Sequence, residues 1–348
     1  MTKDVRYLTD KIAKGGLPEA DELEFLLNAP EEDIKYLTEK AVEARTAVYG
    51  KEVFIRGLIE ISNYCKNDCL YCGIRRSNCK ADRYRLIKDD ILECCKEGYS
   101  AGFRTFVMQG GEDGYFNDDR LSDIVRSIKE KYPDCAITLS VGEKNYDSYK
   151  KLFDAGADRY LLRHETATDE HYQKLHPSVL TLENRKRCLY DLKKIGFQTG
   201  CGFMVGSPYQ TCENIVEDLK FIKEFKPEMV GLGPFIPHKD TPFKEFPSGS
   251  VTHTLRLLSI VRIIHPKVLL PATTALGTAK KGGRENGILA GANVIMPNLS
   301  PVSVRKKYML YNDKLTTDEE AAENLNMLKK SMEEIGYFIT ANRGDFKK

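Results

Sequence analysis

From residue 52 onward the apolar residues fall in short unbroken runs separated by amphipathic stretches. Val53-Phe-Ile-Arg-Gly-Leu-Ile-Glu-Ile61 is the first run. Thr105-Phe-Val-Met108, Ala136-Ile-Thr-Leu139, Arg159-Tyr-Leu-Leu162 and Thr199-Gly-Cys-Gly-Phe-Met204 follow. Met229-Val-Gly-Leu232, Val268-Leu-Leu270 and Asn293-Val-Ile-Met296 complete a set of eight. Strands that are apolar throughout, alternating with helices, are those of a parallel sheet covered on its faces. Eight such units predict an α/β fold of the (β/α)8 TIM-barrel kind. A doubly wound sheet is disfavoured, because no Gly-x-Gly-x-x-Gly fingerprint follows the first run.

Residues 1–48 carry a different pattern. Leu23, Leu26, Leu27, Ile34, Leu37, Val42 and Ala44 recur at helical spacing among many charges. The chain thus divides into a helical N-terminal extension (1–50), the barrel (51–300) and a C-terminal helical segment packed on it (301–348). Thr316-Thr317-Asp318 offers a start for the last helix. The tail from Ala341 is polar. Ala101-Gly102, Ala155-Gly156, Ile195-Gly196 and Ala290-Gly291 each fall between a helix and the next strand, where glycine supplies a left-handed cap. Chemistry belongs at the opposite, C-terminal ends of the strands.

Charge narrows the partners. The 348 residues hold 53 Lys plus Arg against 51 Asp plus Glu, a net +2. So even a balance gives no case for nucleic acid or an anionic membrane, and points to a small substrate. No apolar run approaches the roughly 18 residues that span a bilayer, and no secretory signal opens the sequence. A cytoplasmic protein is expected. Its ten cysteines then read as thiols or ligands rather than disulfides.

Three of them are spaced for chemistry. After the first run the chain reads Ser62-Asn-Tyr-Cys65-Lys-Asn-Asp-Cys69-Leu-Tyr-Cys72-Gly73. Thiolates are the usual ligands of iron–sulfur clusters, and three of them leave one iron of a [4Fe–4S] cube open. The rival is a zinc loop with Cys79 as fourth ligand. Cys94, Cys95, Cys135, Cys188, Cys201 and Cys212 show no comparable spacing. No Cys follows Cys212, so a single cluster is expected.

The other strand ends are polar. The second run leads into Gln109-Gly110-Gly111-Glu112-Asp113, the third into Ser140-Val-Gly-Glu143, the fourth into Arg163-His-Glu165-Thr166. Ionisable groups at the top of a strand are costly unless paired or used. Arg163 is suited to an anion, and His164 reads as a satisfied structural histidine. A salt-bridge network is the plain alternative for this set. Thr273 and Thr274 place hydroxyls after the seventh run.

The C-x3-C-x2-C motif with Tyr71 before its last Cys resembles that of the radical-SAM superfamily. The resemblance implies a barrel with the cluster in the loop after strand 1. It implies that the open iron chelates S-adenosylmethionine (SAM), whose reductive cleavage releases a 5′-deoxyadenosyl radical. Tyr71, Gln109, Gly110, Gly111, Glu112, Ser140, Glu165 and Arg185 would then hold SAM. No side chain beyond the cluster and SAM is assigned a catalytic role.

Longer strings resemble those of the HydE-type [FeFe]-hydrogenase maturases. They are Asn63 through Arg76, Arg159 through Thr166, Gly233-Pro-Phe-Ile-Pro-His238, Pro271-Ala-Thr-Thr-Ala275 and Gly291 through Asn298. This kinship implies remodelling of a cysteine-bound iron carbonyl–cyanide complex toward the di-iron subcluster. Arg163, Thr273, Thr274 and Tyr308 would face that substrate. Transient contacts with other maturation proteins and an electron donor are implied too. Leu299 and Val304 stand where some members have aromatic residues. Biotin synthase is a relative, but its auxiliary cluster needs cysteines of which only Cys201 is available. The alternatives are an amino-acid mutase of the methylornithine synthase kind and a non-enzymatic cluster carrier.

Overall fold

The computed structural model describes residues 4–315 and 321–347, and only the backbone of 321–324. Thr316, Thr317 and Asp318 lie outside the described residues. Three helices come first, α1 (Val5–Ala13), α2 (Ala20–Asn28) and α3 (Glu31–Tyr49). The Asp4 carboxylate starts α1 by accepting the Arg6 N–H at 3.0 Å. Ile34, Leu37, Ala41, Arg45 and Tyr49 are buried along α3 at three- and four-residue intervals, one face of a helix.

The first apolar run is a strand broken at Arg56 into β1 (Glu52–Ile55) and β2 (Gly57–Ser62). Then come α4 (Lys88–Ser100), β3 (Thr105–Gly110), α5 (Asp118–Lys131), β4 (Ala136–Ser140), α6 (Tyr146–Asp154) and β5 (Arg159–Leu161). Helices α7 (Asp169–Leu175) and α8 (Leu182–Ile195) precede β6 (Gln198–Val205), and α9 (Cys212–Phe225) precedes β7 (Met229–Pro234). The chain continues through α10 (Val251–Ile264), α11 (Thr274–Ala279), α12 (Gly283–Leu289) and β8 (Val294–Ile295). It ends in α13 (Val302–Arg305), α14 (Ala321–Glu334) and β9 (Phe338–Thr340).

Strands β2 to β7 pair in parallel in sequence order, and β1 pairs in parallel with β8. The seventh run joins by bridges Met229↔Leu269 and Pro271↔Val294, and Leu58↔Asn298 closes the ring. The chain is therefore a parallel (β/α)8 barrel. The seventh strand is reduced to bridges partly because Pro271 has no N–H to give. Side chains alternate in and out along each strand, so Glu60, Gln109 and Ser140 enter the lumen while Ile59, Met108 and Leu139 pack in the core under the helices. The glycines between helices and strands take positive φ, +110° at Gly156 and +113° at Gly196, conformations a Cβ disfavours.

The C-terminal segment is not purely helical. Strand β9 pairs in parallel with β1, and the polar tail after it seals the lower end of the barrel. Arg159, wholly buried, donates to the Arg343 carbonyl at 2.7 Å and to Asp345 at 2.6 Å. Thr105 Oγ1 also donates to Arg343 O, and Gln198 to Asp345. Phe346 packs with the cluster of Tyr49, Phe54, Leu161 and Met229. Among the described residues no helix is long and apolar enough to cross a membrane.

Candidate active site at the barrel mouth

The loop after β2 is held open and rigid by its own polar groups. Arg83 donates to the carbonyls of Asn63, Ile74, Arg75 and Asn78. Asn63 reaches the carbonyls of Asp82 and Lys307, each at 2.8 Å. Arg75 pairs with Asp68 at 2.6 Å, and Arg85 with Asp113 at 2.7 Å. These bonds present Cys65, Cys69 and Cys72, all half-buried and unpaired, to one cavity of about 300 Å³.

That cavity lies at the C-terminal ends of the strands, as the barrel predicts. It is lined by the three cysteines and by Tyr71, Gln109, Gly110, Gly111, Glu112, Ser140, Arg163, Glu165, Arg185, Thr273 and Tyr308. Thr274 is not among the lining residues, because it opens α11 and the helical turn rotates it away from Thr273. Met204, Phe235, Leu310 and Tyr311 also line the cavity and were not foreseen. Met204 closes an apolar run, a signal that was available. Tyr311 has none, since it arrives by the long return of the chain over the mouth.

Burial sets the electrostatics. It pushes the Cys69 thiol well above its usual range, with Cys72 adding repulsion, and Cys72 itself to about 12. Burial raises the Cys65 thiol as well, and thiols held up in this way become thiolates against a strongly cationic centre. The Glu112 N–H points at Cys65 Sγ at 3.4 Å, a donor suited to a charged sulfur. A Cβ on Gly111 would lie 2.2 Å from the Tyr64 carbonyl and 2.7 Å from Cys65 Cβ. The glycine strand end therefore lies directly against the cysteine loop. Among the described residues no three His, Cys, Asp or Glu side chains converge as one metal ion requires. Cys79 is exposed and outside the cavity. A cluster takes its thiolates at separate irons and does not require them to converge on one point.

Polar groups are spread around the same space. Arg185 donates to Glu143 Oε1 at 2.5 Å and to the Arg163 carbonyl at 2.6 Å. Glu112 pairs with Lys66 at 3.1 Å and accepts the Glu143 N–H at 3.0 Å. Tyr71 Oη lies 3.3 Å from His176 Nε2, whose other nitrogen faces the Tyr172 carbonyl at 2.9 Å. Gln109 donates to Tyr308 Oη at 3.4 Å. Arg163 Nη2 lies 3.0 Å from Glu165 Oε2, within ion-pair distance but not aligned as a hydrogen bond. Arg163 Nε and Thr273 Oγ1 are buried without any hydrogen-bond partner. Orphaned donors beside a cavity are costly to a fold and useful to a ligand.

This rim offers what a metal–sulfur centre and a polar organic ligand need side by side, which makes the class a cofactor-dependent barrel enzyme. Residues 59–222 match the family model of the Radical SAM superfamily. The chain is 46% identical over 296 residues, 85% of its length and 84% of the relative's, to the [FeFe] hydrogenase maturase subunit HydE of Thermotoga maritima. It is 30% identical over 340 residues, 96% of its length and 94% of the relative's, to 3-methylornithine synthase of Methanosarcina acetivorans. Among solved structures, methylornithine synthase superposes with a TM-score of 0.80 at 26% identity, covering 96% of this chain and 97% of that one. The chain belongs to the radical SAM superfamily, whose enzymes use a [4Fe–4S] cluster and SAM.

Proposed function

We propose that this radical SAM enzyme is an [FeFe]-hydrogenase maturase acting on a cysteine-bound iron carbonyl–cyanide precursor of the di-iron subcluster. The observation that carries the reading is that Arg163 and Thr273, which line the cavity that the cysteine loop borders, each keep a buried donor, Nε and Oγ1, without a partner. A compact anionic complex satisfies both. The 46% identity to HydE over most of both chains supports it further.

Cys65, Cys69 and Cys72 hold the cluster in this reading. When bound, the cluster and SAM supply the electron and the 5′-deoxyadenosyl radical. Gly110 and Gly111 let main chain approach the amino group of SAM, with Gln109 and Glu112 at the same strand end. Arg185 meets the carboxylate of SAM, Ser140 and Glu165 take its polar hydrogens, and Tyr71 borders it from the cluster loop. Arg163, Thr273 and Tyr308 orient the substrate in the same cavity, Arg163 beside Glu165 and Tyr308 beside Gln109, with Thr274 at the start of α11. Phe235 and Met204 exclude water there. An electron donor and other maturation proteins are the expected transient partners, in the cytoplasm.

The test is anaerobic. Reconstituted protein with dithionite and SAM forms 5′-deoxyadenosine, and the iron complex raises its rate with conversion of the complex. Absence of 5′-deoxyadenosine sinks the radical reading. Turnover of lysine in place of the complex assigns the mutase activity instead.

A further inference from the structure

His164 and Asp218 are both wholly buried, and neither lines the cavity. Yet they bracket Glu165, which does. His164 Nδ1 accepts the Gly202 N–H at 3.2 Å. That leaves the proton on Nε2, which donates to Asp218 Oδ1 at 3.1 Å. The same oxygen accepts the Ala167 N–H at 2.5 Å. Between these anchors the Glu165 N–H donates to the Gly202 carbonyl at 3.0 Å. Both main-chain groups of Gly202 on β6 are thus taken by two consecutive residues of the loop after β5.

Glu165 needs such restraint. Its φ is +66°, a left-handed conformation that a residue with a long side chain rarely holds unaided. Gly202 is itself fixed on its other side, where a Cβ would lie 2.1 Å from the Gly231 carbonyl on β7. The rings of Phe221 and Phe203 flank His164 at 4.9 and 5.9 Å and keep water from the pair. Lys186 closes the far side by donating to the Ala167 carbonyl at 3.1 Å.

We infer that the His164–Asp218 pair is the positioning device for the SAM-facing loop, holding Glu165 left-handed so that its carboxylate enters the cavity. The inference rests on Glu165 contacting SAM, as proposed above. His164 and Asp218 touch neither SAM nor substrate. They act by geometry, His164 from the loop after β5 and Asp218 from α9, on a residue that does.

A double-mutant cycle on the reconstituted holoenzyme tests this, read as the Kd for SAM, with iron per chain and thermal midpoint as controls. Glu165→Gln and His164→Leu each weaken SAM binding by about tenfold, the size of one lost charge-assisted hydrogen bond. Together they weaken it no more than either alone, because both remove the same contact. Asp218→Asn keeps the Oδ1 acceptor and binds SAM as the wild type does, and His164→Gln, which can still accept and donate, stays near it. Multiplicative effects in the double variant overturn the inference. So does loss of SAM binding in Asp218→Asn with iron content intact, since that would call for a charge rather than a geometry. Should His164→Leu fail to fold, Asp218→Ala, which removes the acceptor of the His164 and Ala167 N–H groups, takes its place in the cycle with Glu165→Gln, with the same outcomes. A Glu165→Gln protein that binds SAM normally overturns the contact at Glu165 and the inference together, while 5′-deoxyadenosine formation reports separately on the radical chemistry.

Discussion

Gly111 is the residue at which the glycine strand end and the cysteine loop press together. Any Cβ there meets main chain and Cys65 Cβ, neither of which can swing aside. Gly111→Ala is expected to cost about 1–3 kcal/mol by overpacking and to lower the iron retained after anaerobic reconstitution several-fold. Unchanged iron content would mean that the loop can move without losing the cluster. Cys69→Ala removes one proposed ligand from a half-buried site and is expected to abolish cluster absorption while the far-ultraviolet circular dichroism is kept. Iron retained at the wild-type level in that variant would remove Cys69 from the ligand set. These residues were legible because their signal is local: three cysteines and two glycines at fixed spacing directly after apolar runs. Glu165 was legible as an ionisable group at a strand end. Its left-handed backbone and its dependence on Asp218 were not, because the partner is far along the chain.

The element that the sequence reading underrated is the return of the chain over the mouth after α13. Gly73 N–H donates to the Leu310 carbonyl at 2.8 Å, and Asn312 N–H to that of Pro237 at 3.0 Å. Beneath it Lys314 pairs with Glu60 inside the barrel, and Asn298 donates to the other Glu60 oxygen at 2.9 Å. Burial raises the Glu60 carboxyl even so, with Lys314 opposing. Lys314→Met leaves that carboxyl without its cation. Breaking a buried pair from one side costs about 3–5 kcal/mol, and a urea titration should find a loss of that order. Glu60→Gln added to Lys314→Met should regain much of it. If the double variant is as unstable as the single, the cost lies in the packing of the strap and not in the charge. Nothing in the pattern Tyr308-Met-Leu-Tyr-Asn-Asp-Lys314 announces a strap, since its partners Glu60, Gly73 and Pro237 all lie far back along the chain. Tyr308 was read as a cavity residue, and the strap explains how it gets there.

At the scale of the whole molecule, the barrel was readable because parallel strands must be apolar on both faces, which makes their runs stand out. The closure of its lower end was not. Tyr337-Phe-Ile-Thr340 is an apolar run after Gly336 and could have been taken as a strand, but pairing with β1 is a long-range fact. The tail is latched by Asp345 on Arg159. Burial alone would raise the Asp345 carboxyl, but Arg159, Gln198 and Arg343 hold it down to about 2. An unfolded Asp titrates near about 3.9. The latch is therefore complete above about pH 4 and is lost as the pH falls toward about 2. Hydrogen exchange of residues 338–347 should accelerate over that window, and Asp345→Asn should show fast exchange at neutral pH with no further acid step. Protection that is level from about pH 5 to about pH 2.5 would mean that the strand pairing, not the ion pair, holds the tail.

The break at Arg56 gives β1 two partners, β8 and β9, and both lie far downstream. On a ribosome adding about 5–20 residues per second, the edge of β1 waits on the order of ten seconds or more for Val294 to emerge. Throughout that time the three cysteines are already outside, on a loop whose backbone anchors at Lys307 and Leu310 do not yet exist. The cysteine loop is thus the first part of the mouth to be made and among the last to be held. Cluster insertion that preceded release would meet an open half-barrel, with thiols reachable from both sides. After release the same delivery meets a mouth already crossed by the strap, with Gly73 tied to Leu310.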